Sequence, residues 1–209
     1  MIKHVIGILD YGAGNCTSVK NTINKLNFRT RLVKCEDDFK EISLLLIPGV
    51  GAFPSAMEAI NNLKLVKPIH QYAKYGNPIV GVCLGMQLLA DCSYELGFTQ
   101  GLGLIPGEVK PLMGMDWHIG WNNLEIVNDD SGYGSLDGNS YYFNHSYEFK
   151  AAEEYVVGIG RNIHPVVAMV KKSNICGVQF HPEKSQNDGL ELLTGLINTM
   201  ISDNESNND

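Results

Sequence analysis

Short apolar runs alternate with stretches of helical periodicity along the first hundred residues. Continuous apolar runs occur at residues 5–9, 43–47 and 79–82, and residues 30–33 suggest a further strand. Their length and continuity are typical of strands buried on both faces of a sheet. Between them, apolar residues recur at helical spacing, which predicts a helix through Val19, Ile23 and Leu26 and helices over 55–62, 66–75 and 84–90. Strands that alternate with helices predict βαβ units and a mostly parallel central sheet flanked by helices.

The pattern changes after about Gly101. Six shorter strand-like stretches follow, separated by turn residues, at 108–112, 121–127, 141–149, 155–159, 166–170 and 175–180. They predict additional, partly antiparallel strands attached to the same core. Apolar residues from Leu193 to Ile201 then mark a closing amphipathic helix. We therefore expect an α/β fold with one domain over residues 1–201 and a polar tail, 202–209, that frays.

Composition narrows the functional classes. The formal net charge of −7 gives the chain no general electrostatic attraction to nucleic acid or to anionic membranes. No apolar window is long enough to span a bilayer, and the N-terminal apolar run is too short for a secretory signal. The five cysteines include no CxxC pair, so we expect free thiols, a cytoplasmic protein, and no metal or other cofactor.

Gly81-Val82-Cys83-Leu84-Gly85 lies where an apolar strand becomes an apolar helix. A G-x-nucleophile-x-G sequence in that setting is typical of a nucleophile elbow, here with cysteine in place of serine. The turn projects the sulfur from the sheet beside a helix N-terminus, which favours thiolate. The N–H of Leu84 is then free to donate to an oxyanion. The alternative is a small buried core cysteine, as most free cysteines are.

A thiolate nucleophile needs a base and a group that orients the base. His181 follows the last strand in Gln179-Phe180-His181-Pro182-Glu183, and Pro182 keeps this segment extended. Residues i and i+2 of an extended segment point to the same side, so Glu183 is predicted to hold one ring nitrogen while the other faces Cys83. His145 is the competing base, for which we favour a structural or substrate-lining role.

A second glycine loop, Pro48-Gly49-Val50-Gly51, follows the strand at 43–47. Open α/β sheets bind ligands at the carboxyl edge of their parallel strands, which is also where Cys83 emerges. We expect the backbone of Gly49, Val50 and Gly51 to form the second half of an oxyanion hole with Leu84. Gly12-Ala13-Gly14 does not complete a dinucleotide-binding fingerprint, because the third glycine position is Thr17.

These segments resemble class I glutamine amidotransferases, and within them the glutaminase subunits of imidazole glycerol phosphate synthase. The similarity extends over almost the whole chain through the elbow, His181-Pro182-Glu183, residues 10–15, residues 48–53, Gly120-Trp121-Asn122 and His145-Ser146-Tyr147. The resemblance implies that Cys83 attacks the amide of L-glutamine, that His181 handles the protons and that Glu183 orients His181. It also implies glutamine contacts from Gln87, His145, Ser146 and Tyr147.

The same resemblance implies a partner. Ammonia would pass through a tunnel to a separate TIM-barrel cyclase subunit in a heterodimer, which forms imidazole glycerol phosphate for histidine biosynthesis. Asn15, His118, Trp121 and Asn122 are expected at that interface. The isolated chain is predicted to be a poor glutaminase that the cyclase and its ligand activate.

Two alternatives remain open on the sequence. The segment Trp117-His118-Ile119 departs from the common family pattern, which often has proline before the His-x-Gly-Trp-Asn segment. A paralogous branch supplies ammonia for amidino-sugar formation in surface polysaccharide synthesis. An alternative of another class is a non-catalytic regulatory or binding subunit with the same fold.

Overall fold

The computed structural model describes residues 4–12, 15–128, 132–162 and 165–208. The sequence Asp129-Asp130-Ser131-Gly132 predicts a turn, of which the first three residues lie outside the described ranges, as do the glycine-loop residues Ala13 and Gly14. The strands are β1 Val5–Leu9, β2 Arg29–Val33, β3 Leu44–Ile47, β4 Ile79–Val82, β5 Cys92–Ser93, β6 Thr99–Gln100, β7 Gly107–Pro111, β8 His118–Ile126, β9 Ser140–His145, β10 Tyr147–Ala151, β11 Val156–Gly160, β12 Val166–Lys172 and β13 Ile175–Val178. The α-helices are α1 Cys16–Lys25, α2 Phe53–Asn62, α3 Val66–Lys74, α4 Leu84–Leu88 and α5 Gln186–Asn208.

The strands form two sheets. The larger sheet has the order β2-β1-β3-β4-β13-β12-β11-β8-β9, and the smaller has the order β10-β7-β5-β6. In the larger sheet β2, β1, β3, β4 and β13 pair in parallel, whereas β12, β11, β8 and β9 continue it antiparallel. The predicted fold class is therefore confirmed.

Both faces of the parallel strands are buried. Alternate residues such as Leu44 and Leu46 face a core shared with α1 and α5, while Leu45 and Ile47 face a second core with α2 and α3. All four of these leucine and isoleucine side chains are fully buried. This two-sided burial explains the continuous apolar runs, because no side of such a strand contacts water.

The stretch predicted as one strand over 141–149 is two strands in two sheets. The chain leaves the larger sheet after His145 and enters the smaller one at Tyr147, so Ser146 lies at the junction. The backbone oxygen of Ser146 accepts a hydrogen bond from Leu112 N at 3.1 Å. The apolar alternation continues across the junction, which is why the break is not visible in the pattern.

Two helix ends also differ from expectation. Helix α4 ends at Leu88, because Leu89 N and Ala90 N bond three residues back, to Met86 O and Gln87 O, in a tightened last turn. Helix α5 continues through Asn208, so the predicted frayed tail from Ser202 is helical as far as the structure describes it. Lys171 pairs with Asp203 of this segment at 3.6 Å, which ties the extra turns to the sheet. Among the described residues, no helix is long and apolar enough to cross a membrane.

Candidate active site

Cys83 occupies a strained backbone position between β4 and α4. Its φ of +55° and ψ of −112° are values that a residue with a side chain rarely adopts. The flanking glycines make this turn possible by close approach. A Cβ on Gly81 would lie 2.5 Å from Gly85 O, and one on Gly85 would lie 1.8 Å from Ile47 O. The predicted elbow is therefore present, and it leads directly from a buried strand into a helix.

His181 lies between Cys83 and Glu183. Its Nδ1 donates to Glu183 Oε1 at 2.9 Å, and its side chain lines the same cavity as the Cys83 sulfur. Burial alone would lower the pKa of His181, but the interactions with Cys83 and Glu183 outweigh burial and raise it to about 9. The imidazole is thus stabilised in its protonated form, which is the form that pairs with a thiolate.

The backbone around His181 is fixed on both sides. His181 N donates to Tyr142 O at 2.8 Å, and the Ser185 hydroxyl donates to His181 O at 2.6 Å. Pro182 then begins a single 3₁₀ turn, Pro182–Lys184, which brings Glu183 back toward the imidazole ring. The predicted contact between His181 and Glu183 therefore comes from a short turn at the end of an extended segment.

The loop Pro48 to Gly51 lies against the elbow. A Cβ on Gly49 would be 2.7 Å from Leu84 Cβ and 3.0 Å from Gly85 N, so only glycine permits this approach. Gly51 adopts a φ of +102°, in the region that favours glycine. Leu84 is the first residue of α4, and the first N–H groups of a helix have no intrahelical acceptor. The loop and the helix start thus lie together beside the nucleophile.

A cavity of about 330 Å³ opens over the sulfur. Its lining residues come from both sheets, the elbow and the loop: Val50, Gly51, Cys83, Leu84, Gln87, Glu95, Trp117, Asn144, His145, Ser146, Tyr147, His181 and Lys184. The predicted nucleophile, base, oxyanion and glutamine-contact residues are brought together here, apart from Gly49 and Glu183, which lie behind the lining residues. Among the described residues, no group of three or more His, Cys, Asp or Glu side chains is arranged to hold a metal ion.

The family model described as glutamine amidotransferase class-I matches residues 7–195. The chain belongs to the class I glutamine amidotransferase family. It is 40% identical over 196 residues to the protein named imidazole glycerol phosphate synthase subunit HisH of Listeria monocytogenes, covering 92% of this chain and 94% of that one. It is 42% identical over 193 residues to the subunit of the same name from Oceanobacillus iheyensis, covering 90% and 96%.

Solved structures agree on the fold of this glutamine amidotransferase. The structure described as PurLQS from Thermotoga maritima has a TM-score of 0.78 at 18% identity, covering 95% of this chain and 100% of that chain. A glutamine amidotransferase from the same organism has a TM-score of 0.66 at 16% identity, covering 99% and 92%. At such identities the likeness concerns the fold alone.

Several residues of the amidotransferase pocket were not predicted from the sequence. Glu95 lines the cavity from the hairpin between β5 and β6, and its Oε2 accepts from Phe53 N at 2.8 Å. Gln179 is fully buried, and its Nε2 lies 3.8 Å from Cys83 Sγ. Gln179 precedes the His181 motif by two residues, so the same extended spacing that selected Glu183 could have identified it. Glu95 carries no comparable signal.

Two of the four residues predicted at the partner interface are inside the protein. His118 is 4% exposed and Asn122 is 1% exposed, so neither offers a surface to a second chain. They point inward because residues 118, 122 and 124 of β8 face the core while 119, 121 and 123 face out. The expectation of direct interface contact is wrong for both, and they hydrogen-bond to each other instead.

The other two interface residues remain accessible. Trp121 is 46% exposed, and Asn15 is half-buried just before α1 with no side-chain capping bond. Trp117 and Val50, which line the mouth of the cavity, are 58% and 40% exposed, and Ile119 between the tryptophans is 62% exposed. The pocket therefore opens beside an apolar surface, which we call the rim: Val50, Trp117, Ile119 and Trp121.

Proposed function

We propose that this chain hydrolyses L-glutamine to glutamate and ammonia with Cys83, His181 and Glu183. The observation that carries the proposal is that His181, hydrogen-bonded to Glu183, lines an open cavity together with the elbow residue Cys83. A nucleophile, its base and the orienter of that base are the components of covalent amide hydrolysis. A non-catalytic subunit would not need this arrangement.

The geometry supports an order of steps. The Cys83 thiolate attacks the side-chain amide carbon of glutamine, and the carbonyl oxygen becomes an oxyanion beside the N–H of Leu84 and of Val50 or Gly51. The protonated His181 gives its proton to the departing nitrogen, so ammonia leaves and a thioester remains. His181 then takes a proton from water as the water attacks the thioester, and the sulfur leaves as thiolate, which releases glutamate and restores the thiolate beside the protonated His181.

The cavity also supports recognition of an amino acid. Both amide hydrogens of Gln87 are used internally, on Tyr147 O and Gln179 Oε1, each at 3.0 Å, which leaves its amide oxygen for ligand. Glu95 supplies a carboxylate to the lining of the cavity, and a carboxylate suits the ammonium group of glutamine. We assign the remaining predicted contacts, Ser146 and Tyr147, to the same substrate.

We further propose that the ammonia passes to a separate TIM-barrel cyclase subunit, for imidazole glycerol phosphate formation in histidine biosynthesis. The support is that the curated relatives are named as subunits of that synthase and match nine-tenths of both chains at about 40% identity. The rim supplies the exposed aromatic and apolar side chains that are enriched at interface cores. We propose the cytoplasm as the compartment of this complex.

Glutamine hydrolysis with and without the partner tests the proposal. The cyclase subunit of the same organism and its nucleotide substrate should raise turnover, and Cys83→Ser should abolish it. A glutamine-analogue electrophile should label Cys83 in the complex. Full turnover by Cys83→Ser, or no labelling with partner present, would refute the glutaminase assignment, whereas activation only by a sugar-amidinating partner would move the chain to that pathway.

The rim can be tested separately. Trp121→Ala should weaken partner binding at least tenfold, since a buried interface tryptophan is commonly worth 2 kcal/mol or more, that is about thirtyfold. Val127→Ala is the matched control, because Val127 is also half-exposed and lies six residues further along, about 20 Å away. Unchanged partner binding by Trp121→Ala would place the interface elsewhere.

A further inference from the structure

A chain of buried hydrogen bonds runs inward from β8. Asn162 N donates to Asn122 Oδ1 at 2.8 Å, and Asn122 Nδ2 lies 3.2 Å from His118 Nε2. His118 Nδ1 lies 3.0 Å from His145 Nε2, and His145 Nδ1 lies 2.8 Å from Tyr147 O. The three side chains between the two ends are each at least 95% buried.

The two end groups determine where each hydrogen lies along this series of hydrogen bonds. Tyr147 O can only accept, so His145 Nδ1 carries a hydrogen and donates it. At the other end Asn162 N can only donate, so Asn122 presents its oxygen there and its NH₂ group to His118. His118 Nε2 then accepts, and His118 Nδ1 donates to His145 Nε2. Both imidazoles are therefore neutral, and each carries its hydrogen on Nδ1.

The chain continues from Tyr147 to the nucleophile. The same Tyr147 O accepts a second hydrogen bond, from Gln87 Nε2, whose other hydrogen goes to Gln179 Oε1. Gln179 is thereby oriented with its NH₂ group toward Cys83 Sγ, 3.8 Å away. A side-chain N–H group is therefore directed at the sulfur of the nucleophile. Every hydrogen bond along this path therefore joins one donor to one acceptor.

The surroundings keep the two imidazoles uncharged. His118 stacks on Phe143 with ring centroids 4.7 Å apart, and its pKa is lowered by burial. Burial likewise lowers the pKa of His145, to about 4, and the nearby His118 and His181 lower it further against the Tyr147 carbonyl bond. A neutral imidazole with one donor and one acceptor is the group that this directed chain needs.

We propose that His118 and His145 are positioning residues, which hold the Tyr147 carbonyl and through Gln87 aim the Gln179 amide at the Cys83 sulfur. The functional part of this proposal rests on the glutaminase activity proposed above. It assigns a role to two histidines that the triad does not use. It also revises the expectation for His145, because both of its nitrogens are committed and only its ring carbons are left to face glutamine.

The proton arrangement is tested by ¹⁵N NMR on the full chain with labelled histidine. We expect two histidines that keep their hydrogen on Nδ1 and stay neutral from pH 5.5 to 8, and that His118→Phe removes one of them. Histidines at positions 118 and 145 that carry the hydrogen on Nε2, or that titrate near the ordinary histidine pKa of about 6.5, would overturn the proposal.

The functional link is tested by His118→Phe, which keeps the stacking on Phe143 but removes both hydrogen bonds. We expect kcat/KM for glutamine in the activated complex to fall about five- to tenfold, as for one misplaced hydrogen bond. The alkylation rate of Cys83 should change as well, since the Gln179 amide is no longer held against its sulfur. A lower melting temperature with unchanged kcat/KM and alkylation would show a purely structural role and overturn the proposal.

A milder variant covers the case in which His118→Phe does not fold. Asn122→Asp retains the acceptor for Asn162 but has no hydrogen for His118, so His118 should become doubly protonated in the NMR spectrum. Asn123→Asp introduces the same charge on the exposed side of β8 and should leave the histidine spectrum unchanged. An unaltered His118 in Asn122→Asp would contradict the directed chain.

These readouts separate the two proposals. If the native complex hydrolyses no glutamine, the proposed function fails while the histidine spectra still decide the hydrogen-bond chain. If the native complex is active and the spectra differ from those expected, only the positioning proposal fails.

Discussion

The hydroxyl of Tyr11 donates a hydrogen bond to the backbone oxygen of Pro48 at 2.8 Å. Tyr11 is 3% exposed, and burial raises its pKa, so the phenol remains a donor. Its oxygen also lies where a Cβ on Gly49 would come within 2.7 Å. Tyr11 thus fixes the start of the loop whose next residues form half of the proposed oxyanion hole.

Removing this hydroxyl should affect the chemical step. Tyr11→Phe leaves a buried carbonyl without a donor and frees the loop, so we expect kcat to fall about five- to thirtyfold with a smaller change in KM, since the oxyanion exists only after attack. Steady-state glutaminase kinetics in the activated complex measure this. Tyr75→Phe, at a tyrosine that is 75% exposed, is the control and should not change kcat. A change confined to KM would argue against the assignment.

The strain at Cys83 should be measurable as stability. Cys83→Gly and Cys83→Ala both remove the sulfur, but only glycine adopts a φ of +55° with ψ of −112° without steric cost. We expect Cys83→Gly to be more stable than Cys83→Ala by about 1 kcal/mol, or about 2–4 °C in melting temperature for a chain of this size. Thermal unfolding of the two inactive variants decides it. Equal melting temperatures would mean that the elbow carries no strain.

Two glycines in helices should respond in opposite directions. Gly85→Ala would place a methyl group 1.8 Å from Ile47 O, a backbone atom that cannot move without displacing β3. We therefore expect this variant to lose activity and several kcal/mol of its free energy of unfolding. Gly195→Ala in α5 meets nothing within 4 Å and should stabilise the protein by about 0.5–1 kcal/mol. Denaturant midpoints of both variants provide the comparison.

The pKa shifts of two histidines predict that the free energy of unfolding is greatest near neutral pH. The pKa of His181 is raised to about 9, so its stabilisation is complete below its ordinary pKa of about 6.5 and is lost as the pH rises through 9. The pKa of His145 is lowered to about 4, so the unfolded chain binds the proton first and stability is lost as the pH falls from about 6.5 toward 4.

Substitutions at Glu183 and His145 separate the alkaline and acid limbs of this pH profile of stability. Glu183→Gln removes the carboxylate that supports protonated His181 and should flatten the alkaline limb, whereas His145→Gln should flatten the acid limb. Each limb is worth at most a few kcal/mol. Denaturation midpoints measured between pH 5 and 9 test both. Parallel profiles for the native protein and Glu183→Gln would show that His181 is not stabilised by Glu183.

Contiguous motifs could be predicted from the sequence, whereas contacts set by strand register could not. The elbow at Cys83 and the pair His181 and Glu183 follow from local geometry, because their partners are two residues apart or adjoin a turn. The sequence predicts different places for His118 and His145, one at the partner interface and the other in the pocket. The antiparallel register of β8 and β9 places them directly opposite each other, and a one-residue shift would have sent one of them outward.

Because the chain passes from one sheet to the other at Ser146, the pocket lies between the two sheets. Asn144 and His145 reach it from the larger sheet, while Tyr147 and Glu95 belong to the smaller sheet and its hairpin. A glutamine molecule that contacts both sheets stabilises their relative position, because it binds only the arrangement in which the sheets keep this spacing. Amide exchange in the short strands β5 and β6 of the smaller sheet should therefore slow when substrate is bound.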